Sequence, residues 1–210
     1  MGELRGLPFF SGCKTYRAYG GQPERYDILF VLQFRILTDL GLREFHNVLD
    51  LGCGCLRVGR LLIPFLLDNR YVRVEPESWL VDSGIKYELG ETIRSIKHPQ
   101  FCFDGEYSLV HFGRAFDYVM IQSVFSHAPL DWIERCAVRL SKVLAEPAGL
   151  VVANYLEGPS DCDGSEWLYP GCRTYQRNTL EGLFAAAGLG WREINHYTHP
   201  AGLTWFLLSR

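Results

Sequence analysis

No apolar run in the 210-residue sequence approaches the ~20 residues that a membrane-spanning helix needs. The longest, Leu61 to Leu67, is closed off by Arg60 and Asp68. No spanning segment and no membrane partner are expected. At the N-terminus, Glu3 and Arg5 stand where a secretory leader requires an unbroken apolar stretch, so a cytoplasmic protein is the expectation. Neither sign of charge dominates: 21 Lys and Arg against 24 Asp and Glu leave a formal net charge of −3 and a pI near 6.1. Nothing in that balance draws the chain to a phosphate backbone, and nucleic acid is not an expected partner. The seven cysteines include no CxxC pair, which removes the usual zinc and redox signatures. Reduced thiols and no metal are expected.

What the chain does have is apolar content, 48% of its residues, enough to bury one sizeable core and form a single domain over residues 1–210. Residues 1–23, rich in Gly, Pro and aromatics without a period, read as an arm or lid, and residues 24–210 as the core. From Glu24 to Leu40 the positions Ile28, Leu29, Leu32, Ile36, Leu37 and Leu40 recur at spacings of three and four, one face of a helix ended by Gly41. Strands and helices then alternate: strand Asn47 to Leu51, helix Leu56 to Leu67, strand Tyr71 to Glu75, and a helix Ser78 to Leu89 with Ser78 as N-cap and Gly90 as stop. Strands Phe101 to Phe103 and Phe116 to Ser123, helix Leu130 to Ala145 and strand Gly149 to Tyr155 follow. A Gly-, Pro- and Asp-rich loop, Glu157 to Gly171, precedes helix Arg177 to Ala187. The strands Trp191 to Tyr197 and Leu203 to Leu208 are joined by a link too short for a helical crossover. The reading is an α/β fold: a doubly wound, mostly parallel seven-stranded sheet with an antiparallel C-terminal edge.

The segment Val48 to Leu56, VLDLGCGCL, is the most informative. An apolar strand runs into Asp50, then Gly52 and Gly54, then a helix. Glycines there let the backbone turn sharply and approach a ligand beside the electropositive end of a helix. Twenty-five positions after Asp50, the next strand ends in Glu75, which can accept hydrogen bonds from two ribose hydroxyls. A dinucleotide fingerprint would need a third glycine where Arg57 stands, whereas an acid two positions before the first glycine suits a cofactor with a cationic amino-acid end. On these residues the sequence resembles the class I S-adenosylmethionine-dependent methyltransferases, over about Asn47 to Arg210. It departs from their D-x-G-x-G-x-G pattern at Leu56. Its Leu56-Arg57 followed by Val74-Glu75-Pro76 is similar to a subset of bacterial methyltransferase-like sequences.

The resemblance implies a Rossmann-like methyltransferase fold with S-adenosyl-L-methionine as cofactor. It also implies that Asp50, Gly52, Cys53 and Gly54 cradle the methionine portion, that Glu75 holds the ribose, and that Asp104, with Glu106 as the alternative, meets the adenine amino group. Gln122 then faces the cofactor and the mouth of the site. Near it, His127 is a candidate general base or, equally, a residue that caps the next helix or orients the loop. Cys53 and Cys55 read as small buried turn residues. The aromatics Tyr16, Tyr19, Trp167, Tyr169 and Tyr175 either close over a substrate or pack loops. The expected function is in-line methyl transfer to a small-molecule acceptor. The alternatives are an NAD(P)-dependent oxidoreductase and a non-catalytic cofactor-binding protein of the same fold. Leu56 is expected to point into the sheet-helix core.

Overall fold

The computed structural model describes residues 15–106 and 109–210; most of the expected N-terminal arm lies outside them. The first described helix, α1 (Tyr16–Tyr19), is followed by a 3-10 turn, Pro23–Arg25, and by α2 (Tyr26–Asp39). The α2 face that enters the core is Tyr26, Leu29, Gln33, Ile36 and Leu37, so the face is rotated from the expected one. Ile28, placed in the core by its spacing, is 58% exposed. Tyr26 and Gln33 hold the inner positions instead, and both make side-chain hydrogen bonds that offset their burial.

The sheet is built from β1 (Val48–Leu51), β2 (Tyr71–Val74), β3 (Gln100–Cys102), β4 (Tyr118–Ile121), β5 (Leu150–Glu157), β7 (Gly190–Glu193) and β8 (Thr204–Ser209), in the order β3-β2-β1-β4-β5-β8-β7, with a short β6 (Thr174–Tyr175) beside the end of β5. The first five strands are parallel; β8 inserts between β5 and β7 and runs antiparallel to both. Alternation along β1 sends Leu49 and Leu51 to one face, under α6 (Leu130–Val143) and α7 (Arg177–Ala186), and Val48 to the other, under α2 and α3 (Gly59–Phe65). Both faces of the parallel strands are therefore covered, as a doubly wound sheet requires.

Three local readings are corrected. Ser78 is the first residue of α4 (Ser78–Gly84), not its cap, and no side chain caps that helix. The expected single helix to Leu89 passes at Ile85 into a π-helical turn, Ile85–Leu89, and after Gly90 (φ 87°) a further helix, α5 (Glu91–Lys97), occupies what reads in sequence as loop. The helix after the glycine turn starts at Gly59, because Leu56 has φ 61° and cannot belong to a right-handed helix.

Leu56 is fully buried in the core with Val58 and Leu62, as expected, but its left-handed backbone changes the energetics. A glycine there relieves strain of about 1–2 kcal/mol, while loss of a buried leucine costs about 2–5 kcal/mol. Burial wins. Leu56→Gly should lower stability by about 2 kcal/mol in denaturant titration; an equally stable variant would show that the packing of this side chain is worth no more than the backbone strain it imposes.

Candidate functional site

Chain reversal at β1, which is flanked by β2 on one side and β4 on the other, opens a crevice beyond the carboxyl ends of these strands, where doubly wound sheets bind their ligands. A cleft of about 360 Å³ lies there, lined by Asp50, Gly52, Cys53, Gly54, Glu75, Gln122 and His127 among others. Every expected site residue but Asp104 is on its wall. Asp104 sits in the turn after β3, accepting a hydrogen bond from the Glu106 N–H (2.9 Å), and its neighbour Gly105 lines the cleft.

The turn after β1 is built of left-handed residues, Gly52 (φ 71°) and Gly54 (φ 54°). A Cβ at Gly52 would lie 2.4 Å from a Val124 methyl, whereas one at Gly54 would meet no atom within 4 Å. The first glycine is thus required by the protein's own packing, and the second leaves open space on the cleft wall. Gly54 N–H donates to Glu75 Oε2 (2.9 Å) and Glu77 N–H to Glu75 Oε1 (3.1 Å). Those two donors fix the carboxylate and favour its ionised form, yet burial outweighs them and holds its pKa above the ordinary value.

Asp50 is 2% exposed and accepts a hydrogen bond from the Tyr71 hydroxyl (2.6 Å). Burial pushes its pKa up to about 6, against the opposing pull of the Tyr71 bond and the Arg73 charge. Arg73, beside Asp50 in register, is fully buried between the Phe101 and Phe103 rings and donates to Cys53 Sγ (3.3 Å). Its Nε and Nη2 have no partner among the described residues. Cys53 and Cys55 are buried, as expected; Cys55 Sγ lies 3.3 Å from the Tyr26 hydroxyl. The six described cysteines are free, and no described group of His, Cys, Asp and Glu is placed to hold a metal.

On the far wall, Gln122 is held by Gln33 of α2, which donates to its Oε1 (2.7 Å), and the Gln122 amide nitrogen contacts Ser123 Oγ (2.5 Å). Gln33 went unread in the sequence, although a glutamine inside a stripe of leucines and isoleucines was the available signal. His127 Nδ1 lies 2.7 Å from the Gly171 carbonyl and 3.1 Å from that of Leu168. Carbonyls only accept, so Nδ1 carries the proton and Nε2 keeps the lone pair. Burial lowers the His127 pKa, overriding the carbonyl contacts, so the neutral ring predominates near pH 7.

Of the five aromatics read as a cover, Tyr19, Trp167 and Tyr169 line the cleft. Tyr19 and Tyr169 meet with centroids 5.2 Å apart, and Tyr169 stands edge-on to His127 at 5.0 Å. Tyr175 is fully buried and bonds the Ala128 carbonyl, while Tyr16 stacks on Tyr87. Among the described residues no helix is long and apolar enough to cross a membrane.

No model of a known protein family matches the sequence, and no curated protein is recognisably similar to it. Solved structures are. Magnesium protoporphyrin IX methyltransferase from Synechocystis PCC 6803, with S-adenosylmethionine bound, shares 16% identity over 91% of this chain and 87% of its own, with a TM-score of 0.65. The PH0226 protein of Pyrococcus horikoshii OT3 shares 15% over 93% and 94%, at 0.64, and DesVI of Streptomyces venezuelae 15% over 91% and 94%, also at 0.64.

Asp50 generates a pH prediction. Its folded pKa, near 6, lies above the roughly 3.9 of a free aspartate, so the folded state binds the proton more tightly and this contribution to stability is lost as pH rises from about 4 to 6. Denaturant titrations across that window should show a decline in the parent that Asp50→Asn lacks; parallel curves would remove the perturbed carboxyl. With its mostly parallel sheet, reversed strand β8 and strand-end cleft, the chain has the Rossmann-like fold of the class I methyltransferases.

Proposed function

We propose that this protein is an S-adenosylmethionine-dependent methyltransferase acting on a small-molecule acceptor. The observation that carries the reading is the Glu75 carboxylate, fastened by two backbone N–H groups on the cleft wall beside the open face of Gly54. Each oxygen retains lone pairs for a vicinal diol. The buried acid Asp50 suits an ammonium group, and the cleft volume lies within the range of about 300–1,000 Å³ usual for small-ligand sites. These residues fit the cofactor: Asp50, Gly52, Cys53 and Gly54 would hold its methionine portion and Glu75 its ribose, with Asp104 at the adenine edge and Gln122 at the mouth. Magnesium protoporphyrin IX methyltransferase, a structure with this fold, was solved with S-adenosylmethionine and with S-adenosylhomocysteine, which supports the same assignment.

When bound, S-adenosylmethionine supplies an electrophilic methyl group for in-line displacement. The protein's share is to align the acceptor, worth up to roughly 7–11 kcal/mol, and to exclude water, for which Tyr19, Trp167 and Tyr169 form a roof. His127 is the base we assign: with Nδ1 bound to the loop carbonyls, Nε2 can take a proton from an acceptor hydroxyl or amine.

Calorimetry should detect binding of S-adenosylmethionine and S-adenosylhomocysteine and none of NAD; the opposite result would favour the oxidoreductase reading. Glu75→Ala should weaken cofactor binding by about 1.5–3 kcal/mol without unfolding the chain, and unchanged affinity would take Glu75 out of the site. Transfer of a labelled methyl group to metabolite extracts identifies the acceptor. With it in hand, His127→Ala should cut turnover about 100- to 10,000-fold with little change in cofactor affinity, and an unaltered pH-rate profile would exclude His127 as the base.

A further inference from the structure

Three of the described arginines are buried: Arg57, Arg73 and Arg173. None of them has a carboxylate within ion-pairing distance among the described residues, although seven other arginines do. Arg173 spends its guanidinium on the carbonyls of Asp163 and Glu166 and so shapes the loop above the sheet. Arg73 is enclosed by two phenyl rings and does not reach the cleft. Arg57 differs. It is 8% exposed and lines the cleft, where its Nη2 donates to the Gly20 carbonyl at the end of α1 and its guanidinium lies 5.3 Å from the centre of the Tyr26 ring. Its Nε and Nη1 make no hydrogen bond among the described residues and, unlike the buried nitrogens of Arg73, keep accessible surface on a residue that lines the cleft.

A guanidinium on a cleft wall, mostly buried, without a counter-charge and with two donors still accessible, favours an anionic ligand. A guanidinium N–H makes a charge-assisted hydrogen bond to a carboxylate. The opposite charge needed for a zwitterion is close at hand: Asp50 lines the same cleft and feels the Arg57 charge. From this geometry we propose that Arg57 is the carboxylate-binding group of the cleft, that with Asp50 it recognises the ammonium and carboxylate of an α-amino-acid end, and that its bond to Gly20 links arrival of that carboxylate to docking of the α1 segment.

The inference rests on the methyltransferase reading, since the cofactor's methionine end is the zwitterion at issue. Docking of α1 has independent anchors, because Arg17 pairs with Glu88 of the π-helical turn (2.7 Å), which also receives Arg60 (2.5 Å) and the Tyr16 hydroxyl (2.9 Å). Arg57 is therefore not needed to hold the segment in place. Its contact instead sits at the inner end, over the cleft.

The test compares two thioethers, S-adenosylhomocysteine and 5′-methylthioadenosine, the second lacking the amino-acid end. By calorimetry Arg57→Gln should weaken S-adenosylhomocysteine at least about tenfold and leave 5′-methylthioadenosine unchanged, which also certifies that the variant is folded. Arg57→Lys, which keeps the charge but not the planar guanidinium, should fall between. In tryptic digestion of the parent, S-adenosylhomocysteine should protect cleavage after Arg17 and Arg25 more than 5′-methylthioadenosine does, and Arg57→Gln should abolish the difference. Equal weakening of both ligands, or of neither, overturns the role of Arg57 while the methyltransferase reading stands. Equal protection by the two ligands overturns the link to α1. Failure of the parent to bind either ligand overturns the function itself, and this inference with it.

Discussion

The left-handed turn that follows β1 is the constraint on which the cleft depends. Gly52, Gly54 and Leu56 all have positive φ within five residues, and the Gly52 N–H is still bonded to the Val74 carbonyl (2.8 Å) as the chain departs from the sheet. That bond keeps the turn in register with the end of β2, and the reversal then aims the Gly54 N–H at Glu75. Val124 closes on the other side so tightly that no side chain fits at Gly52. One short segment thereby draws together groups from β1, β2 and the end of β4.

Two acids on one cleft wall are managed differently. Glu75 receives two backbone N–H groups, Asp50 a single tyrosine hydroxyl. Burial raises the pKa of both, and for Asp50 it prevails over the Tyr71 bond and the Arg73 charge together. Arg73 limits the penalty without forming a close pair with either, its guanidinium held by aromatic faces and a thiol. The wall is therefore incompletely compensated: Asp50 is short of a cation, while Arg57 nearby is short of an anion. A zwitterionic ligand end satisfies both, which neither the fold nor the acids alone would require.

Much of this was legible in the sequence, and the gaps have physical causes. The strand-helix alternation and the turn around Gly52 are local signals, period and glycine, and the chain's own chemistry enforces them. The α2 face was misjudged because periodicity weighs Ile28 as apolar, whereas the bonds of Tyr26 to Cys55 and of Gln33 to Gln122 come from residues distant in sequence. α5 carries no apolar stripe and buries none of its residues, so nothing marked it. Leu56 shows a different limit: its place in the core follows from being a leucine after an apolar strand, but its left-handed backbone (φ 61°) does not, nor does its close packing, in which a Cβ at Gly59 or Gly84 would lie 3.3 or 3.0 Å from its side chain. Arg57 was read only as an obstacle to a dinucleotide, since a sequence records a charge without recording whether it is paired.

The two halves of the cleft differ in how they are built. The floor consists of strand ends and one turn, positioned by parallel hydrogen bonding that many sequences share. The roof comes from segments far apart in the chain, α1 and the loop before β6, which meet where Tyr19 touches Tyr169. The loop is held by backbone bonds to the turn after β4, Leu168 N–H to the His127 carbonyl (3.0 Å) and Arg173 N–H to that of Ser126 (2.7 Å), and by the His127 ring itself. One residue thus anchors the cover and presents a basic nitrogen beneath it. A shift of the loop that broke the contacts to the Gly171 and Leu168 carbonyls would remove what holds the proton on Nδ1, so the position of the loop and the tautomer of His127 are linked.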